Sequence, residues 1–512
     1  MDHVKYKIAA LIMNIRGSLF PLLLPLHLIA QTSGVLDPTF GGSGFVISNG
    51  DVFLEHSHSI LLQQDGKIIA IGTAVPNSND VGVARFLPDG QPDTSFGGSG
   101  AVAVDIENTE FAYGSALQAD GKILIAAMTH LDTTYKAVLL RLQSNGALDP
   151  SFGIGGIHEL YFPGETAFFY DCAIQPDGYI VACGMVGNEM LLHRVDPIGS
   201  ADPAFGFMGT VRAQYNGLPT TAESVVLQPN GQIVVCGSPG VVARFEPDGT
   251  QDLLGFGTSG WADLPSDVTP HHFADVILQP DGRILVAGGP SLLPPDTLLV
   301  IRSMADGTPD TSFASDGSVT FPILDGSTSM ALALRADDRI ITLGSVLDQG
   351  SSRMMLSRLG SDGVLDSAFG QSGTTILTLP IPPPHHEIGS DVLVTQNGDI
   401  LGTAAHFSAD DGFLVARFSD PYSAELVPSA SRSGEFHVFP NPAIDRVTIE
   451  LAEGHYNQVR VTLLDATGRE VMSKQGYQLR AMTIDLARLP EGAYILEIRS
   501  DEGRSAELII KE

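Results

Sequence analysis

A turn-centred motif recurs seven times along this 512-residue chain, and no other feature restricts its fold as strongly. The copies are LLQQDGKIIAIG at 61–72, LQADGKILIAA at 117–127, IQPDGYIVACG at 174–184, LQPNGQIVVCG at 227–237, LQPDGRILVAGG at 278–289, LRADDRIITLG at 334–344 and VTQNGDILGTA at 394–404. Apolar runs flank a Pro-Asp-Gly-like turn, which is the pattern of a hairpin. Asp338 stands where the other copies have Gly, so that turn is expected to be less favourable. A second element is an apolar strand carrying an arginine: Arg85, Arg141, Arg194, Arg244, Arg302, Arg358 and Arg417. A third is Asp-x-x-Phe, with Phe at 40, 96, 152, 205, 256, 313 and 369; the copy ending at Phe256 holds one extra residue. A short alternating strand follows each Phe. The period is roughly 55 residues, with about four short strands and no helical pattern, and that combination indicates a β-propeller. A β-helix would use shorter coils, and separate sandwiches would need about 100 residues each.

The repeated side chains have structural readings. Asp can cap the turn that follows it, Phe can pack between neighbouring sheets, and each Arg stem can be buried beside a local acid. Calcium at the seven aspartates is the competing reading. The cycle is also cut out of phase. The chain begins with an Asp-x-x-Phe element and its strand, Asp37 to Ser48, and the last repeat ends on FLVARF at 413–418. The N-terminal segment is therefore expected to pair beside 412–418 and close the ring. The fold class is all-β: a seven-bladed propeller over 32–420 closed by an N-terminal strand, then a small antiparallel β-sandwich.

The two ends carry addresses. Residues 19–30 (LFPLLLPLHLIA) are apolar, follow Lys5, Lys7 and Arg16, and are too short to span a bilayer; 1–30 reads as a secretory signal peptide. Met13 would give a more ordinary start. Residues 421–435 are rich in Ser, Ala and Pro and read as a linker. Strand candidates follow at 446–451, 459–465, 482–486, 493–500 and 506–511, alternating strictly, as expected of two facing sheets.

Over roughly 35–418 the three motifs, in the same order seven times, resemble the delta-60 repeat family, a propeller-like bacterial repeat. That resemblance implies an extracellular scaffold without a defined activity. Residues 436–512 resemble the C-terminal sorting domain of the type IX secretion system of Bacteroidetes. The motif residues are Pro440, Asn441 and Pro442, then Asp465, Gly468 and Arg469, then Gly492 and Tyr494. Phe439 is a departure, since Tyr is commoner there. The resemblance implies handling by the type IX machinery, export across the outer membrane, removal of the domain, and a secreted or cell-surface location.

Chemistry is sparsely marked. Three cysteines make no disulfide framework. If Pro176, Asp177 and Gly178 form a three-residue loop, Cys172 opposes Ala182; a two-residue loop would place it opposite Cys183 and permit a disulfide. Candidate ligands at a channel mouth are His58, His271, His272, His385 and His386, with Asp171, Asp275 and Asp391 at one offset before the turns. The histidines read as solvated loop residues, and no spacing defines a metal site. No cofactor is expected, calcium being the one ion worth testing. The net charge of −31 argues against nucleic acid. Uniform repeats favour a scaffold that binds a protein or glycan over an extracellular hydrolase or lyase using channel-mouth Asp and His. A deep pocket of converging, perturbed His and Asp would favour the enzyme.

Overall fold

The computed structural model describes residues 33–420 except 49–53, 76–78, 108, 132, 266–271, 290–296, 323–329, 349, 382–384 and 409–410. Towards the C-terminus it describes 436–439, 446–451, 459–464, 470–476, 481–486, 489, 492–500 and 503–511. The signal segment, the linker, His271, Pro440, Asn441, Pro442, Asp465, Gly468 and Arg469 lie outside these residues. Among the described residues every regular element is a strand, and no helix is long and apolar enough to cross a membrane.

Seven antiparallel sheets follow one another along the chain. The first blade is Leu54–Leu62, Ile68–Ala74, Asp80–Phe86 and Ala101–Val104, paired in that order. The next blades start at Glu110, Ala167, Ser224, His272, Ala331 and His386. Blade four departs from the four-strand pattern: it has three strands, and its outer edge is a single bridge between Ala243 and Trp261. The hairpin turns behave as their residues require. In blade three Ile174 pairs with Ile180, Gly178 N–H donates to the Gln175 carbonyl at 2.9 Å, and Gly178 has φ of 88°. Asp338 is forced to φ of 64°, a conformation that costs an L residue roughly 1–2 kcal/mol. The three-residue loop sets Cys172 opposite Ala182. All three cysteines are free and buried, with Cys172 and Cys183 in different inter-blade clusters.

The core is distributed between the blades. Seven apolar clusters each join one blade to the next, and the seventh joins blade seven to blade one through Leu401, Phe413, Val415, Leu54, Ile60 and Phe86. The Asp-x-x-Phe rings are fully buried in these clusters, at 0% exposure in all seven copies. Each repeat arginine lies over such a ring, 4.6–5.0 Å from its centroid, and pairs with the Asp of the same element at 2.6–3.0 Å. The guanidinium then donates forward to a carbonyl of the following blade: Arg85 to Ser144, Arg141 to Pro197, Arg194 to Pro247, Arg244 to Ala305, Arg302 to Ser361 and Arg417 to Pro88. Arg358 departs from this and donates to Ser33 and to the carboxylate of Asp420. The sequence motif is thus an inter-blade staple, satisfied by charge-assisted bonds and a cation–π face.

Ring closure occurs as the phase of the repeats predicts. Phe45–Ser48 pairs antiparallel with the last strand, Phe45 opposite Ala416 and Ser48 opposite Phe413, and Val35–Leu36 pairs beyond it. This covers an edge that would otherwise be open.

The C-terminal strands form two antiparallel sheets. One holds Phe436–Phe439, Arg446–Leu451 and Ala481–Asp485; the other holds Glu470–Gly476, Val459–Leu464, Gly492–Ser500 and Gly503–Lys511. Val447, Ile449, Met482 and Ile484 of the first share a buried cluster with Val461, Leu463, Tyr494, Leu496 and Ile498 of the second. Tyr494 is a core residue of this cluster, and Gly492 opens its strand.

Candidate site at the mouth of the central channel

Inner strands of the blades line the axis, and five of the seven carry an irregularity in their pairing. The pairing slips at Phe169/Asp171, Phe273/Asp275, Gly389/Asp391, Ser57/Ser59 and Ala112/Ser115. The bulge presses the inner strand's carbonyl onto the glycine that ends the hairpin motif. A Cβ at Gly184 or Gly288 would lie 1.9 or 2.0 Å from the carbonyl oxygen of Phe168 or His272. Bulges re-aim side chains, and here they turn the next residues towards the axis.

Asp171, Asp275 and Asp391 come together there, as their common offset suggests, with Ser59, Gly114 and Ser224 in equivalent places on other blades. Each carboxylate reaches across a blade boundary. Asp171 accepts from the backbone N–H of Val225 at 3.0 Å, Asp275 from Leu332 at 2.7 Å and Asp391 from Ile60 at 2.8 Å. The second oxygen of Asp171 accepts from Cys172 N–H, and that of Asp391 from Val392 N–H. Burial, reinforced by the neighbouring carboxylates, pushes Asp171 and Asp391 up to about 7; burial also raises Asp275.

One step along each inner strand, the repeat symmetry breaks. The channel-facing residues in blade order are His58, Tyr113, Tyr170, Glu223, Ala274, Met330 and Ser390, and all seven line a cavity of about 260 Å³. Four of the seven are aromatic or charged, and three are small or apolar. The aromatic half is continuous: His58 to Tyr113 is 5.5 Å between ring centroids, and Tyr113 to Tyr170 is 5.2 Å at 77°. Glu223 accepts from Thr221 Oγ at 2.7 Å. Burial holds Glu223 above the ordinary carboxylate range, and His272 opposes that shift. Burial pushes Tyr113 up to about 12 and raises Tyr170 as well, with the Glu223 charge acting on both. Burial, helped by His56, lowers His58 to about 4, so its imidazole is neutral at physiological pH. His272 lines the same cavity and meets Ser238 Oγ through Nδ1 at 2.8 Å.

The other histidines are placed differently from the loop reading. His56, His58, His272 and His386 lie in inner strands, and His385 directly precedes one. His386 Nδ1 accepts from the backbone N–H of Ser352. His385 is buried, 2.6 Å from Glu387, which also meets His406 at 3.2 Å and Arg353 at 3.0 Å. The guanidinium beside this His-Glu-His group supplies the charge a metal would bring. His385 and His386 therefore belong to a packing network and are absent from the cavity lining. Tyr113, Tyr170 and Glu223 were not flagged by motif, although aligning the inner strands on the Asp offset would have exposed them.

Two family models match the chain. "Secretion system C-terminal sorting domain" covers 437–512, and "Domain of unknown function (DUF5122) beta-propeller" matches 63–96, 118–152, 228–253, 279–313 and 335–369. No curated protein matches. Among solved structures, the chain is similar to a protein of unknown function from Bacteroides caccae (12% identity, 52% of this chain, 86% of that chain, TM-score 0.32). It is also similar to YCF48 from Cyanidioschyzon merolae (13%, 73% and 99%, TM-score 0.40). A third is PorZ, an essential bacterial surface component of the type IX secretion system of Porphyromonas gingivalis (12%, 88% and 65%, TM-score 0.29).

Proposed function

We propose that this chain, a β-propeller of that repeat family with a type IX sorting domain at its C-terminus, captures the exposed end of a glycan in the mouth of its central channel. The sorting domain marks the propeller for export, to be secreted or held at the outer-membrane surface. In this reading the signal segment at 1–30 and the module at 436–512 are removed, with cleavage inside 421–435, and the propeller is the mature part.

The observation that carries the reading is the broken symmetry at one channel level. Six of the seven staples use a local arginine and aspartate, so uniformity is what folding requires. The His58–Tyr113–Tyr170–Glu223 arc serves no such repeat function. Aromatic faces beside hydrogen-bonding groups suit the apolar faces and hydroxyls of a sugar. A cavity near 260 Å³ favours one terminal residue over a long chain. The acids below the arc favour a neutral or amino sugar over an acidic one.

The hydrolase or lyase reading draws on the same pocket, since converging Asp and His with perturbed pKa values are present. However, Asp171, Asp275 and Asp391 are engaged by backbone N–H groups of the neighbouring blades, which is a structural use. The test is a glycan and surface-protein screen with the full chain, with and without calcium. Capture of a neutral or amino sugar, lost on Tyr170→Ala, is expected. Capture of a surface protein alone, or release of cleaved sugar, would overturn the glycan-binding reading.

A further inference from the structure

Where blades one and two meet, three carboxylates converge that belong to none of the repeat motifs. Asp80 opens the third strand of blade one, Asp105 follows its outer strand, and Glu110 opens the inner strand of blade two. One oxygen from each lies within 4.8 Å of the others. Asp80 and Glu110 are buried, while Asp105 faces solvent. Backbone bonding fixes the arrangement, since Glu110 N–H donates to the Asn79 carbonyl at 2.7 Å.

Glu110 supplies the second observation. Its side chain has no exposed surface. Oε1 accepts from the Glu107 N–H at 3.0 Å and from Thr129 Oγ at 2.7 Å. Oε2 is buried and has no hydrogen-bond donor. The nearby ammonium of Lys136 is spent on Glu107 at 2.9 Å and Glu159 at 3.0 Å. A buried carboxylate oxygen without a donor, in a group of three carboxylates, is unfavourable unless a cation joins it.

We propose that Asp80, Asp105 and Glu110 bind a calcium ion that ties the first blade to the second. The donor set is all oxygen and rich in carboxylate, which selects hard cations; it offers no imidazole or thiolate for zinc or copper. Calcium tolerates irregular geometry better than magnesium, and the exposed side at Asp105 leaves room for water ligands. The site is separate from the channel cavity and from the Asp-x-x-Phe aspartates, which are held by their arginines. It stands whether or not the channel binds a glycan.

The experiment titrates calcium chloride into the chelator-treated full chain, by calorimetry and by thermal melting. Saturable binding is expected, with Kd on the order of 10⁻⁴–10⁻³ M as in extracellular modules, and the melting temperature should climb with calcium concentration. Asp105→Asn, at an exposed position, should fold normally and weaken binding by roughly tenfold or more. Glu110→Gln should do the same and remove the calcium-dependent rise in melting temperature. No heat and no melting shift up to about 10 mM calcium, far above that range, would overturn the proposal. So would Asp105→Asn titrating like the parent, because the ion would then sit elsewhere.

Discussion

Arg417 and Asp37 face each other at 2.8 Å, one from the last strand of the propeller and the other from its N-terminal segment. In the other six staples the two partners are near neighbours in the chain, as with Arg85 and Asp93, eight residues apart. The seventh uses the same chemistry to join the two ends. Its arginine also donates to the Pro88 carbonyl of blade one, so one side chain locks the N-terminal segment, blade seven and blade one together.

Arg417→Ala should therefore cost more than the loss of one surface ion pair. It strands Asp37, which is largely buried, and removes a donor across the closure. A loss of roughly 2–4 kcal/mol is expected from chemical denaturation. Deleting 33–48 from the full chain should lower the melting temperature further, because it uncovers the edge of 412–418 and opens the cluster around Phe40. A deletion that melts like the parent would mean the ring does not depend on this strand.

Asp420 is a second lock. It is fully buried and pairs with both Arg335 and Arg358. Asp420→Ala leaves two guanidinium groups without their shared carboxylate and should cost about 3–5 kcal/mol. A change under about 1 kcal/mol, the size of an exposed pair, would show the pairing to be incidental.

Acid and alkali should act on different aspartates. At Asp93 and Asp149, burial alone would raise the carboxyl. Hydrogen bonds from Ser95 and Ser151, with the charges of Arg85 and Arg141, overcome it and hold both at about 2, below the ordinary 3.8. Their stabilisation is complete above pH 3.8 and is lost as pH falls towards 2. Asp171 and Asp391 behave oppositely. With folded values of about 7, their contribution is complete below 3.8 and fades as pH rises through 7. Melting temperature should peak near pH 4, and Asp171→Asn with Asp391→Asn should flatten the decline between about 4 and 7. A parent protein that grows more stable from about pH 4 to 7 would contradict this assignment.

Export predicts processing. Mass spectrometry of surface and medium fractions should find the propeller without peptides from 446–512, its C-terminus falling within 421–435. Full-length protein accumulating in the cytoplasm as the main form would count against it.

What the sequence made legible is what repeats. Arg85 and Asp93 recur with their counterparts in every blade, so geometry imposed seven times leaves a sevenfold signature, and its phase foretold the pairing of Phe45–Ser48. The channel residues were less legible for the opposite reason. Asp171, Asp275 and Asp391 share an offset and were found, but Tyr113, Tyr170 and Glu223 differ from blade to blade. Adjacent histidines misled because neighbouring strand residues face opposite ways. His386 meets a neighbouring backbone N–H, while His385 is buried against Glu387.

The most direct measurement is the affinity of the full chain for a captured glycan, set beside Tyr113→Ala and Tyr170→Ala variants of undiminished secondary structure. If the aromatic arc holds the sugar, each variant should bind roughly 10–100-fold more weakly while the ring stays closed. Parental affinity in both variants would contradict the assignment of the channel mouth as the binding site.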